Sequence, residues 1–242
     1  MTRKHGKDAR ILIDQYDASG LANTWTLNYN VDTSECTAML DTSKEYLVGD
    51  YASDMSFGSY FDTGSDNWDE VSWQHIVQTG GTRYAALCPY GYTAGDVVYE
   101  LTGAYTNKTI PSPVGDAVTL DGSIQGTKTG RGIVLLNASI TGTGEQTGQN
   151  YGATTAATTK IVVYRISGVS GPGNMVFALE ESQDNGSGDA YAAIASFASG
   201  TLTANGVTVK SAAVATEAYL RVNATTFAST SATVRVTVVT LP

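Results

Sequence analysis

Two histidines, two cysteines and five prolines are all that the 242 residues hold of those types. Each scarcity excludes something. His5 and His75 lie far apart, as do Cys36 and Cys88, so a zinc site lacks the clustered nitrogen and sulfur ligands it needs. A Ser/His/Asp or Cys/His site would rest on His75 alone, because His5 belongs to a terminal arm. No G-x-S-x-G turn and no glycine-rich phosphate loop occurs. Two cysteines do not staple a chain of this length, so free thiols are expected. Charged residues amount to only 15%, and Lys and Glu are scarce, which favours strands and tight turns over helices. No apolar run reaches membrane-spanning length, and nothing after the basic start reads as a secretion signal. The expectation is a non-enzymatic protein with no cofactor and no metal.

What is present is unevenly charged. The net charge is −9, a poor balance for general nucleic-acid binding, which needs cationic side chains. Yet Arg3, Lys4, Lys7 and Arg10 give the first ten residues four bases against one acid, Asp8. Residues 11–70 reverse this, with twelve acids and one base, Lys44, while residues 158–242 carry five of each. The asymmetry therefore belongs to the N-terminal quarter.

The pattern along the chain is mostly β. Ile11 to Asp14 reads as a short strand, followed by turn chemistry at "YDASG". In "WTLNYNV", Trp25, Leu27, Tyr29 and Val31 alternate with Thr26, Asn28 and Asn30, the period of a half-buried strand. Residues 32–52 read as a long acidic loop, and "DMSFGSYF" as another strand. The clearest helix spans about 66–79, with Asp66 as N-cap, Asp69 in the first turn and Gly80 and Gly81 to end it. Trp68, Val71 and His75 share one stripe of it. Strands are expected at "RYAALCPY", "GDVVYELTG", "DAVTLDGSI" and "RGIVLLNASI". Residues 142–159, rich in Gly, Thr and Ala, read as a hairpin tip and linker. Beyond it "KIVVYRISG", "NMVFALEES", "AYAAIASF", "GVTVKS", "AYLRVNA" and "ATVRVTVVT" suggest an antiparallel sandwich. The expected domains are 1–157, with an arm at 1–8, and 158–242.

Other candidate sites have simpler readings. "DNGSGD" (Asp184 to Asp189) puts glycine at two of the oxygen-ligand positions of a calcium loop, so a β-turn fits better. Asp62, Asp66, Asp69 and Glu70 could supply paired carboxylates, but helix capping accounts for Asp66 and Asp69. The fourteen tyrosines keep a sugar-stacking module open as an alternative.

The order of motifs from "KHGKDARILIDQYDASG" through "NVDTSECTAMLDTSKEY" to "SFGSYFD" resembles the tail tube (major tail) proteins of long-tailed bacteriophages. The helix "DEVSWQHI", the segment "PSPVGDAVTLDGSIQG" and the C-terminal "VFALEESQDNGSGDAYAAIASF" are similar as well. Two departures are "SYFD", where an apolar residue is more usual before the Phe, and Cys36 after Glu35. The resemblance implies a mainly β fold: a tail-tube β-sandwich or barrel with one flanking helix, plus a C-terminal antiparallel β-sandwich that decorates it. It implies a structural virion protein of the tail, present in host cytoplasm before assembly. Such a protein polymerises as stacked hexameric rings into a conduit for DNA delivery. The implied partners are copies of itself, a tape measure protein and a tube terminator, with phage DNA passing unbound through the lumen. Weak glycan contact by the C-terminal domain is a further expectation. A capsid-decoration or carbohydrate-binding β-sandwich protein is the alternative. Joined to the charge asymmetry, the resemblance makes the basic residues Arg3, Lys4, Lys7 and Arg10 candidates to meet acids of a neighbouring subunit: Asp32, Glu35, Asp41, Glu45, Asp50 and Asp54.

Overall fold

The computed structural model describes residues 6–37, 43–62, 68–77 and 81–242. In chain order the strands and helix are β1 (Arg10–Ile13), β2 (Tyr16–Asp17), β3 (Ala22–Glu35), β4 (Tyr46–Tyr60), α1 (Trp68–Val77), β5 (Arg83–Cys88), β6 (Val97–Thr109), β7 (Thr119–Ile140), β8 (Gly144–Glu145), β9 (Gln149–Asn150), β10 (Thr154–Ser170), β11 (Met175–Ser182), β12 (Ala192–Ala193), β13 (Gly206–Thr216), β14 (Tyr219–Phe227) and β15 (Ser231–Thr240). The fold is mainly β, with antiparallel sheets and, among the described residues, one α-helix, as the composition suggested. Asp66, the expected N-cap, and residues 78–80 lie outside the described residues.

Contacts divide the chain into two compact units: Met1–Ser19 with Ala85–Glu100 and Gly130–Pro242, and Gly20–Tyr84 with Leu101–Thr129. This differs from the expected sequential split at 157/158, which falls inside β10. The reason is long-range pairing: β15 hydrogen-bonds to β10 on one side and to the second half of β7 on the other.

The first unit is a sandwich. Strands β13, β10, β15 and β7 lie side by side in one sheet, and β12, β11, β14 and β8 in the other. Apolar residues at alternate positions face inward from both: Val162, Tyr164 and Ile166 on β10, Val234, Val236 and Val238 on β15, Phe177 and Leu179 on β11, Leu220 and Val222 on β14. This period-two burial supplies the hydrophobic stabilisation of the unit. "AYAAIASF" is not a full strand here. It gives the two-residue β12 and a 3₁₀ turn, Ala195–Phe197, that drops Phe197 into the core.

The second unit is a sheet in the order β3, β4, β7, β6. Helix α1 packs on it: Trp68 meets Phe57 edge-to-face at 5.3 Å, and His75 meets Tyr105 at 6.2 Å. Trp68, Val71, Ser72 and His75 are the buried stripe of the helix, spaced as one helical face requires. Lys108 fastens its first turn, donating to Asp69 Oδ1 at 2.6 Å and to the Asp69 carbonyl at 2.8 Å. Two strands expected around "QGTKTG" are one 22-residue strand, β7. Gly126 is there for close packing rather than for a turn. A Cβ on it would stand 2.6 Å from both Leu101 Cδ1 and Ser53 Oγ.

Candidate functional site

The feature of the second unit that its own core does not explain is the β3–β4 hairpin. Residues 32–52, expected as a loop, are largely strand: β3 runs to Glu35 and β4 starts at Tyr46. Trp25, Leu27, Tyr29 and Val31 stand opposite Phe57, Met55, Ser53 and Tyr51. Side chains at this period share one face of the sheet, and here that face is apolar. Its burial fades along the hairpin. Met55 and Phe57 are 1% and 4% exposed, Trp25 and Leu27 half-buried, Tyr29 43% and Tyr51 54% exposed. Tyr29 and Tyr51 stack on each other at 5.8 Å, a diagonal cross-strand pair. Past an irregularity between Val31 and Thr33, the strands pair again as Thr33 with Val48, Ser34 with Leu47 and Glu35 with Tyr46. Tyr46, Leu47 and Val48 are 54%, 63% and 67% exposed. The apolar face thus begins as core at Met55 and Phe57 and fades to the exposed Tyr29, Val31 and Tyr51, while beyond the irregularity Tyr46 and Val48 lie on one face and Leu47 on the other, all exposed.

The opposite face is polar. Thr26, Asn28 and Asn30 lie on β3, Asp54 and Ser56 on β4, and Ser123 and Gln125 next to them on β7. Asn28 Nδ2 donates to Asp54 Oδ2 at 3.0 Å. No Lys or Arg stands among these positions. At the far end the backbone remains ordered by a clasp: Lys44 Nζ meets Glu35 Oε2 at 2.9 Å, Thr37 Oγ1 donates to Glu35 Oε1, and Cys36 N donates to the Glu45 carbonyl. Both members of the Lys44–Glu35 pair are well exposed, so the pair adds little to stability.

The edge of the hairpin is open too. Among the described residues, β3 hydrogen-bonds to β4 alone, and β6, at the other side of this sheet, is flanked outward only by the six-residue β5. An exposed 14-residue edge strand is a template for pairing with another chain.

The acids named from the sequence are spread along this hairpin. Asp32 and Glu35 sit on β3, Glu45 just before β4, and Asp50 and Asp54 on β4; all but the half-buried Asp54 are exposed. Of the bases, Lys7 lies in a 3₁₀ turn and Arg10 starts β1, both exposed and both in the first unit. Arg3, Lys4 and Asp41 lie outside the described residues. The sequence reasoning selected charges and missed Tyr46, Leu47, Val48 and Tyr51. The available signal was four large apolar residues in a segment with no pattern that could bury them.

The remaining candidates have structural roles. Asp184 accepts from the backbone N–H groups of Ser187, Gly188 and Asp189, so the turn closes on its own carboxylate, and those bonds hold its pKa below the ordinary range. Cys36 and Cys88 are free, and burial pushes the Cys88 thiol well above its usual range. Among the described residues, no three His, Cys, Asp or Glu side chains converge on a metal position, and no helix is long and apolar enough to cross a membrane.

No family model matches the chain, and no curated protein does. Solved structures similar to it come from tail and injection machines. A chain in the virion of a native gene transfer agent particle is 14% identical, with a TM-score of 0.42 over 52% of this chain and 95% of that one. A chain of the sheath–tube complex of an extracellular contractile injection system is 9% identical, with a TM-score of 0.44 over 53% and 90%. The Dit protein of phage SPP1, a hub adsorption apparatus protein, is 9% identical, with a TM-score of 0.38 over 96% and 98%.

Proposed function

We propose that this chain is the tail tube protein of a long-tailed bacteriophage, polymerising through its β3–β4 hairpin into stacked hexameric rings that conduct DNA. The observation that carries the proposal is the apolar hairpin face that leaves the core and ends bare, on a strand with an open edge. The motif order of the sequence agrees with it. A free edge on β3 and a nearly free edge on β6 are different surfaces, so copies join head to tail and close into a ring when the rotation permits. Pairing removes the exposed edges, and burying the apolar hairpin against the neighbouring copy removes the exposed patch.

The polar face of the same sheet then suits the lumen. It carries Asp54 and neutral Thr, Asn, Ser and Gln side chains, with no base to bind phosphate. A surface of that kind lets DNA slide, since phosphate adhesion needs cations. The C-terminal strands decorate the outside, and a tape measure protein and a tube terminator set length and end. The test is electron microscopy of the purified protein over a concentration series. Hollow tubes with Asn28, Asp54 and Ser56 facing the lumen are expected; a chain that stays monomeric with and without tail initiators, or a lumen lined by bases, would remove the reading.

The basic arm has a part in the same scheme. Lys7 and Arg10, with Arg3 and Lys4, meet the acids of a neighbouring hairpin, Asp32, Glu35, Asp41, Glu45, Asp50 and Asp54. Removing residues 1–8 is expected to shorten or abolish tubes, and the loss should deepen with added salt, which screens exposed charge pairs. Tubes of normal length from the truncated chain would show that the arm is dispensable.

A further inference from the structure

We infer that Asn23, Thr24 and Asp121 form an oxygen cradle over Gly58 that binds a hard divalent cation of the calcium type. The inference is independent of polymerisation, because all four residues belong to one compact unit of one chain.

The cradle comes from a bulge meeting a glycine. Ala22 pairs with Ser59 and Thr24 with Gly58, so Asn23 is an extra residue on β3. Two residues of the bulged strand therefore oppose one on its partner, and bulges of this kind re-aim side chains. On the other side of β4, Gly58 pairs with Asp121 of β7. The row across three strands reads Asn23 and Thr24, then Gly58, then Asp121. With no side chain between them, the flanking groups lean inward. The point where a Cβ would stand on Gly58 lies 2.7 Å from Thr24 Oγ1 and 3.0 Å from both Asn23 Oδ1 and Asp121 Oδ1. Among the described residues, no hydrogen bond joins these three side chains to one another.

The donors are a carboxylate, an amide carbonyl and a hydroxyl, all hard oxygens. That set suits calcium, which tolerates irregular geometry and completes its shell with water. Nitrogen- and sulfur-preferring metals have no ligand here. The cradle opens on a cavity of about 280 Å³ whose lining includes Thr26, Ser56, Asn107 and Ser123, polar groups able to hold the remaining waters. A single carboxylate makes the site weak, in the range of roughly 10⁻⁴–10⁻³ M found for low-charge calcium sites.

Trp25 follows Thr24 directly on β3, and this indole next to the cradle in the chain supplies the readout. Terbium(III), a calcium-sized probe, is titrated into the full-length protein with tryptophan excitation, and calcium is then added as competitor. Saturable emission displaced by calcium is expected. Asp121→Asn should weaken terbium binding at least tenfold, and Gly58→Ala similarly, by filling the cradle. Trp25→Phe should dim the emission while calcium still raises the melting temperature. Asp184→Asn, in the other unit, should leave the titration unchanged. Emission that persists unchanged in Asp121→Asn, or no saturable emission, overturns the inference. If Gly58→Ala fails to fold, Asp121→Asn decides alone, because Asp121 is an exposed side chain whose substitution preserves shape. Loss of tubes with the cation site intact would count against the tube reading only, and the reverse result against the cradle only.

Discussion

Glu100→Gln should lower the unfolding free energy by about 3–5 kcal/mol, as breaking a buried ion pair from one side does. Glu100 and Arg165 are 3% and 0% exposed. The guanidinium meets the carboxylate in two parallel bonds, NH1 to Oε1 and NH2 to Oε2, each 2.7 Å. Thr237 Oγ1 donates to Glu100 Oε1. Burial alone would lower the Arg165 pKa, yet the charge and hydrogen bonds of Glu100 hold it above its usual value. Removing the negative partner leaves a desolvated cation, which is why one-sided loss is costly. Replacing both, as Glu100→Leu with Arg165→Met, should recover most of the loss, because the pair's attraction largely offsets its desolvation. Urea denaturation of the two variants separates the cases. A Glu100→Gln variant within about 1 kcal/mol of the natural protein would show that water reaches the pair.

Nothing in the sequence announces that pair. Glu100 and Arg165 are 65 positions apart and come together only because the first residues of β6, ending at Glu100, belong to the same unit as β10 and β15. Strands with one covered face were legible: Val162, Tyr164 and Ile166 alternate, and so do Val234, Val236 and Val238. Helix α1 was legible for the same reason, from Trp68, Val71 and His75. The misreadings share a cause as well. Residues 32–52 looked like a loop because neither face of the outer hairpin is buried by this chain, so no alternation marks it. The single strand β7 looked like two because glycine serves turns and close packing alike, as at Gly126. The contact division of the chain is not legible either, because a sheet order such as β10, β15, β7 is set by non-local pairing, which local propensity does not encode. The bulge at Asn23 is invisible for the same reason.

Leu47→Asp with Tyr51→Asp should abolish tube formation while leaving the monomer about as stable as before. The asymmetry follows from exposure. Both side chains are more than half exposed in the single chain, and surface substitutions of that kind usually stay within about 0.5 kcal/mol. In an assembly that covers the hairpin, each lost side chain forfeits about 1.5–3 kcal/mol of burial, and each introduced carboxylate adds a desolvation cost if it has no partner. The hairpin is already acidic, with Glu45 and Asp50 nearby in sequence, so the new charges are also repelled. Every subunit contact in a ring repeats the loss, and a polymer multiplies it. Sedimentation velocity and electron microscopy should find a compact monomer at concentrations where the natural protein forms tubes, with an unchanged circular dichroism melt. Ser56→Ala, on the polar face, serves as the matched control and should assemble normally. Tubes of ordinary length from the double variant would mean that the bare end of the hairpin is not the assembly surface, and a lowered melt would mean that it belongs to the monomer's own core.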